Sequence, residues 1–397
     1  AFIFRIFWNL TQPDIDMHSI VILGTGLAGY TAAREFRKLD PSTPLHLISR
    51  DDGSFYSKPI LSNALALRKT PAQIALNTAA DMERQLAATV SPHSAVTAID
   101  TAAHHVLVNG KTIPYARLVL AVGADPIRLP LAGDAAAGVL SVNDLSDYTR
   151  FRQALDGKRR VVILGAGLIG CEFANDLRSA GFDVDVVDPA AQPLGRLLPP
   201  QAARFLRAAL EDAGVRFHFG TSVQSVTHVA QGIAATLADN TTLEADLVLS
   251  AIGLRPRIDL ARAAGLDVNR GVVTDAHLRT SAADVYALGD CAEVAGFNLP
   301  FVMPIMQAAR ALAKTLHGAP AAVTYPAMPV VVKTPACPTV VCPPPAGVEG
   351  RWEESIAADG VRALFHDGAG TLRGFALVGA ATRDKQALTK GIPPLLG

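Results

Sequence analysis

Ile20-Val-Ile-Leu-Gly24-Thr-Gly26-Leu-Ala-Gly29 is the stretch from which the fold of this chain can be read. Four apolar residues in a row read as a strand covered on both faces, and the G-x-G-x-x-G after them opens a helix. In such a pattern the first glycine permits a tight turn. The second lets backbone N–H groups approach a pyrophosphate, and the third lets helix and strand pack closely. The helix then turns its positive end toward the phosphates. The same pattern returns as Val161-Val-Ile-Leu-Gly165-Ala-Gly167-Leu-Ile-Gly170. A third motif, Thr280-Ser-Ala-Ala-Asp-Val-Tyr-Ala-Leu-Gly289-Asp290, lies far downstream. Two fingerprints imply two dinucleotides on one chain, and electron transfer between them is the natural reason to hold both.

Each fingerprint starts a βαβ unit. The first comprises a strand at 19–23, a helix running through 34–38 and a strand at 44–49. Residues 95–100, 105–108 and 112–115 read as a meander, and 118–123 as a buried strand that closes the lobe. The second unit starts at Arg160 and continues with strands at 182–188 and 215–219 around a helix at 201–213. Residues 246–253 close it as 118–123 closed the first, so the fold contains an internal duplication. The chain then returns to the first lobe through a strand at 285–290 and a helix at 303–317. From about Thr324 the texture becomes that of a small sheet, at 330–333, 361–366 and 373–378, with a proline cluster at 343–345. The expected class is α/β: two Rossmann-like dinucleotide-binding domains, the first interrupted by the second, plus a small α+β C-terminal domain. The expected boundaries are 17–123 and 246–322 for the first domain, 124–245 for the second and 323–397 for the last.

A chain of 397 residues has room for two or three cores. With 36 basic and 36 acidic side chains the formal charge is zero, which excludes a nucleic-acid binder driven by bulk positive charge. The four scattered cysteines make no disulfide framework and fit a reducing cytoplasm. Residues 1–8 are apolar and aromatic but too short to span a bilayer, and no small-residue cleavage site follows. Met17 reads as the natural start, with the preceding stretch an extension outside the fold. No other stretch reads as a membrane span. No Cys/His grouping has metal-ligand spacing, so no metal is expected.

Three further segments add to the fingerprints: Tyr56-Ser-Lys58-Pro59-Ile-Leu61-Ser62, Gly170-Cys-Glu172-Phe-Ala-Asn-Asp-Leu177 and Val332-Lys333-Thr-Pro335-Ala-Cys-Pro338. Over residues 18–397 the chain resembles the two-dinucleotide flavoprotein reductases of the glutathione-reductase fold. Within them these segments closely resemble the rubredoxin:NAD reductase family. The resemblance implies FAD in the first domain, NADH in the second, and rubredoxin, a small iron protein held by four cysteines, as electron acceptor. A ferredoxin or a flavorubredoxin of nitric oxide removal is the alternative acceptor. An NADH-sensing flavoprotein with slow turnover is the alternative of another class.

The resemblance also implies site residues. Gly24, Gly26, Leu27, Ala28 and Gly29 would hold the FAD pyrophosphate, with Asp51 (or its neighbour Asp52) at the ribose. Val96 would meet adenine through its backbone, Ala121 would line the site, and Asp290 would bind the ribityl chain. The helix starting near Val302 would face the flavin N1/C2=O edge, where a positive helix end favours the reduced anion. Lys58, beside Pro59, would reach flavin N5 and pair with Glu172, and Lys333 would approach from the C-terminal domain. Gly165, Gly167, Ile169 and Gly170 would hold the nicotinamide dinucleotide, with Asp188 at its ribose and Gly253 in the closing turn. An acid at Asp188 favours NADH, while Arg196 leaves NADPH open. The plain alternatives are surface lysines at 58 and 333, a dipole-favoured helix glutamate at 172 and a solvated loop aspartate at 290. Thiol-using relatives place cysteine in the segment occupied here by 57–62, yet no cysteine precedes Cys171. Direct hydride transfer to flavin without a redox disulfide is therefore expected. Cys337 and Cys342 have the spacing of a redox pair but stand among prolines; they read as structural, with a regulatory disulfide as the alternative.

Overall fold

A computed structural model describes residues 19–397. Residues 1–18, and with them Met17 and the expected N-terminal extension, lie outside the described residues. The chain folds into two compact units, each assembled from three segments. One takes the chain through Phe55, then 77–123 and 256–323; the other takes 56–76, 124–255 and 324–397.

The first unit is built on a five-stranded parallel sheet. Its order is Val285–Ala287, Arg117–Leu120, Ile20–Leu23, Leu45–Ile48, Thr89–Ser91. The fingerprint strand lies at the centre with all four residues buried, as its unbroken apolar run requires. Helix Leu27–Arg37 follows, with Tyr30, Ala33 and Phe36 among its buried residues, and packs against helix Val302–Leu316. The meander is present as an antiparallel ladder of Val96–Asp100, His105–Val108 and Lys111–Pro114.

The second unit repeats the plan. Its parallel sheet runs Val215–Phe219, Asp183–Asp188, Arg160–Leu164, Leu247–Ser250. Leu247 pairs with Val161 in parallel register, so the strand beginning just after the expected 245/246 boundary belongs to this sheet, and the unit continues to 255. Residues 56–76 also pack here, because their main chain and side chains bond to residues 143–176.

The C-terminal segment forms a five-stranded antiparallel sheet: Val330–Val332, Thr339–Cys342, Leu372–Gly379, Gly360–Asp367, Gly350–Ala357. Two of these strands escape the sequence pattern. Thr339–Cys342 is only four residues long and is bracketed by Pro338 and Pro343, which read as loop. Gly350–Ala357 is an edge strand carrying three charges. Trp352 fixes that edge through an edge-to-face contact with Phe365, ring centroids 5.4 Å apart. Helix Pro200–Asp212 packs on strands Gly360–Asp367 and Leu372–Gly379. Its first N–H groups are received by Glu354, at 2.9 Å from both Gln201 N and Ala202 N. A carboxylate there satisfies orphan donors and opposes the positive helix end.

Candidate functional site

In the first unit the fingerprint glycines are required by contacts that a side chain would break. Gly24 has φ +113°, and a Cβ on it would stand 2.3 Å from the Ala121 carbonyl oxygen. A Cβ on Gly29 would stand 1.9 Å from the oxygen of Gly24, so helix and turn touch. Gly26, between them, faces open space, with nothing within 4 Å of a Cβ position. It is the N-cap of helix Leu27–Arg37 and provides no side-chain cap. The amides of this helix end are thus left to an outside acceptor, and a pyrophosphate fits there. Gly289 comes up against this helix start, since a Cβ on it would lie 2.7 Å from the Ala28 side chain. Asp290 follows it in the 3-10 turn Gly289–Cys291. Asp51 takes three donors on Oδ1: Ser49 Oγ at 2.5 Å, Gly53 N at 3.0 Å and Thr25 Oγ1 at 3.1 Å. Thr25 lies inside the fingerprint, so the acid is tied to the glycine loop. Asp52 instead bonds its own loop at Ser54. The backbone of His93 and Ser94 bonds the carbonyls of Asp51 and Ser49, both at 2.7 Å, which sets Val96 two residues beyond this loop. Gly24, Ala28, Gly29, Ala121, Gly289 and, through Thr25, Asp51 are therefore linked by contacts around the first fingerprint, where Gly26 and Leu27 open the helix and Asp290 follows Gly289. Val302 and Met303 open the helix packed on Leu27–Arg37 and are 38% and 46% exposed, and Phe301 gives that helix no side-chain cap.

The second fingerprint repeats these contacts. Gly170 closes on the oxygen of Gly165 (1.9 Å to a Cβ), Gly165 faces the Ala251 carbonyl, and Gly167 faces open space. Helix Leu168–Ser179 has no side-chain cap. Asp188 ends its strand and is clamped by main-chain donors, Ala166 N at 2.6 Å and Ala190 N at 2.7 Å. Ile169 is 42% exposed at the helix start, and Gly253, at φ +117°, sits beside Ile127.

The lysine–carboxylate centre is in the second unit. Glu172 is fully buried in the first turns of helix Leu168–Ser179. It receives Lys333 twice: the backbone N–H donates to Oε1 at 2.9 Å and the ammonium bonds Oε2. Ser62 Oγ also donates to Oε2. The same helix offers Asn175, which accepts from Ala336 N at 3.1 Å, and Asp176, which accepts from Leu65 N at 3.1 Å and Ala66 N at 2.7 Å. Burial raises the Asp176 carboxyl above its ordinary range against the pull of these two amides. One helix therefore holds both the segment carrying Lys58 and the segment carrying Lys333. Lys58 begins the 3-10 turn Lys58–Ser62, with Pro59 inside it, and its ammonium donates to Asn143 Oδ1 at 2.8 Å. The expected pairing of Lys58 with Glu172 is replaced here: Glu172 takes its ammonium from Lys333, whose backbone also reaches it, and Lys58 donates to Asn143. Ser62, Asn175 and Asp176 stand inside the quoted segments without an assigned role, and Asn143 stands in none of them.

All four cysteines are free and buried. Burial pushes the thiols up, Cys171 to about 12 and Cys291 and Cys342 to about 11. Cys337 moves the same way. A thiol held protonated is a poor nucleophile. Among the described residues no helix is long and apolar enough to cross a membrane, and no group of three or more His, Cys, Asp or Glu could hold a metal ion.

Two nucleotide-type strand ends, a lysine–glutamate centre and no reactive thiol define a flavin- and pyridine-nucleotide-dependent reductase. The chain belongs to the pyridine nucleotide-disulphide oxidoreductase family, whose pattern matches residues 18–315. A second pattern, the rubredoxin binding C-terminal domain, matches residues 322–392. The chain is similar to the rubredoxin-NAD(+) reductase of Alcanivorax borkumensis, 51% identical over 96% of this chain and 100% of that protein. It is equally similar to the rubredoxin-NAD(+) reductase of Acinetobacter baylyi, 51% identical over 96% of this chain and 99% of that protein. Among solved structures, a ferredoxin reductase from Rhodopseudomonas palustris superposes with a TM-score of 0.85 at 27% identity, covering 95% of each chain.

Proposed function

We propose that this chain is an FAD-containing reductase that takes hydride from NADH and delivers single electrons to rubredoxin in the cytoplasm, without a redox disulfide. The observation that carries this is the pair of uncapped fingerprint helices, each with its middle glycine open to a ligand. The rubredoxin binding domain at 322–392 and the relatives at 51% identity support the acceptor. Bound FAD supplies the step that accepts two electrons and releases them singly. The residues around Gly24–Gly29, with Asp51, Val96, Ala121, Asp290 and Val302, hold that cofactor. Those around Gly165–Gly170, with Ile169, Asp188 and Gly253, hold NADH. Lys58, Pro59, Glu172 and Lys333 act at the reacting edge, where fixed positive charge favours the arriving hydride. Glu172 serves by holding its lysine. The domain roles follow: FAD on 17–123 and the return segment, NADH on the middle segment, and acceptor binding on 323–397.

The test is an anaerobic titration. The purified protein should be yellow with one FAD per chain, and one equivalent of NADH should bleach it. Bound FMN, or FAD that NADH leaves oxidised, would contradict the proposal.

A further inference from the structure

We infer that Asn143 is a positioning residue for Lys58, directing its ammonium; this rests on the reading that Lys58 works at the flavin. Asn143 is 7% exposed and stands just ahead of helix Leu145–Ala154. Its backbone N–H donates to Asp147 Oδ2 at 3.0 Å. Its Nδ2 donates to the Ala124 carbonyl at 2.9 Å. A carbonyl oxygen can only accept, so the amide nitrogen must face Ala124, and Oδ1 is turned the other way. There Oδ1 accepts from Lys58 Nζ at 2.8 Å. The orientation of this acceptor is thus locked by main chain. An amide oxygen also directs an ammonium without offsetting its charge, which a carboxylate would do.

The backbone beneath Lys58 is anchored independently of Asn143. The Tyr56 hydroxyl accepts from Leu145 N at 3.1 Å, Ser62 bonds Glu172, and Leu65 and Ala66 bond Asp176. Removing the Asn143 amide should therefore take away one fixed, main-chain-locked partner of the ammonium while the segment stays in place. That separates a positioning role from a purely structural one.

The experiment is a double-mutant cycle on the FAD-loaded protein, read by stopped-flow flavin reduction with NADH and by the flavin midpoint potential. The variants are Asn143→Ala, Asn143→Ser, Lys58→Met and the double Asn143→Ala/Lys58→Met. Serine keeps a small polar group near Ala124 but is too short to reach Lys58, and it stands in should the alanine variant misfold. Asn143→Ala or Asn143→Ser should slow reduction roughly tenfold, within the range of contact couplings. Either should lower the potential in the same direction as Lys58→Met, with FAD content and NADH affinity unchanged. The double variant should be no slower than Lys58→Met. Losses that add in the double variant, or wild-type rate and potential in both Asn143 variants, would overturn the inference and leave Lys58 in its role. Wild-type rate and potential in Lys58→Met would instead overturn the reading of Lys58, and the inference with it.

Discussion

Asp188 cannot turn away from what it meets, because main-chain amides of Ala166 and Ala190 grip its two oxygens. A ribose 2′-hydroxyl can donate to such a carboxylate, whereas a 2′-phosphate would bring like charge against it. Catalytic efficiency should accordingly favour NADH, and Asp188→Ser should narrow the NADH-to-NADPH ratio of kcat/KM by about tenfold or more, the scale of one lost charge contact. Equal efficiency with both nucleotides in the wild type would count against this role. The four thiols make a second prediction at this scale. Burial holds Cys171, Cys291 and Cys342 protonated far above neutrality, so a thiol-reactive dye should label them only after denaturation. A variant with all four replaced by serine or alanine, if it still binds FAD, should keep most of its acceptor reduction. Loss of activity with FAD still bound would mean that a thiol relays electrons. At this scale the sequence shows what stands at a set distance from a glycine motif, such as Glu172 or Asp188. It hides residues whose partners arrive from elsewhere: Asn143 meets Lys58 across 85 positions, and Ser62 meets Glu172 across 110.

The two fingerprint helices are alike in contact and differ in the ligand assigned to them. Gly29 and Gly170 each stand where a Cβ would come within 1.9 Å of the oxygen of the turn glycine. Alanine at either position must force helix from turn, because the clashing atom is backbone. Gly29→Ala should therefore purify with little FAD. Gly170→Ala should keep its FAD and bind NADH at least about tenfold more weakly, measured by calorimetry or by the rate of flavin reduction. If Gly170→Ala lost FAD while Gly29→Ala retained it, the assignment of the two nucleotides would be reversed. Both helices were legible because apolar strand, glycine spacing and helix start agree at each. Strand Thr339–Cys342 was not, since four residues between prolines are too few to show alternation, and its partner Leu372–Gly379 lies thirty residues on. Edge strand Gly350–Ala357 was masked by its charges, which its outer position tolerates.

On the scale of the whole molecule, the chain leaves its first unit at Gly123 and re-enters it at Pro256. The strand read at 285–290 foretold that return: Val285–Ala287 pairs with Leu118–Leu120, and Gly289 stands against Ala28. Residues 246–253 read as the strand that closes the second lobe, and Leu247–Ser250 does pair with Val161–Leu164 there. Only the boundary drawn at 245/246 cut ahead of that strand, because an apolar run shows that a strand exists and not how far its unit extends past it. The family assignment accounts for two nucleotides on one chain, and the proposed meeting point with the acceptor is the segment matched by the rubredoxin binding C-terminal domain, 322–392. The most direct test is a panel of acceptors, rubredoxin, ferredoxin and oxygen, assayed side by side with NADH and the FAD-loaded protein. Rubredoxin should be reduced fastest by a wide margin. Ferredoxin reduced faster than rubredoxin would contradict the proposed acceptor, and no NADH-dependent reduction of any of the three would contradict the proposal that this chain is a reductase at all.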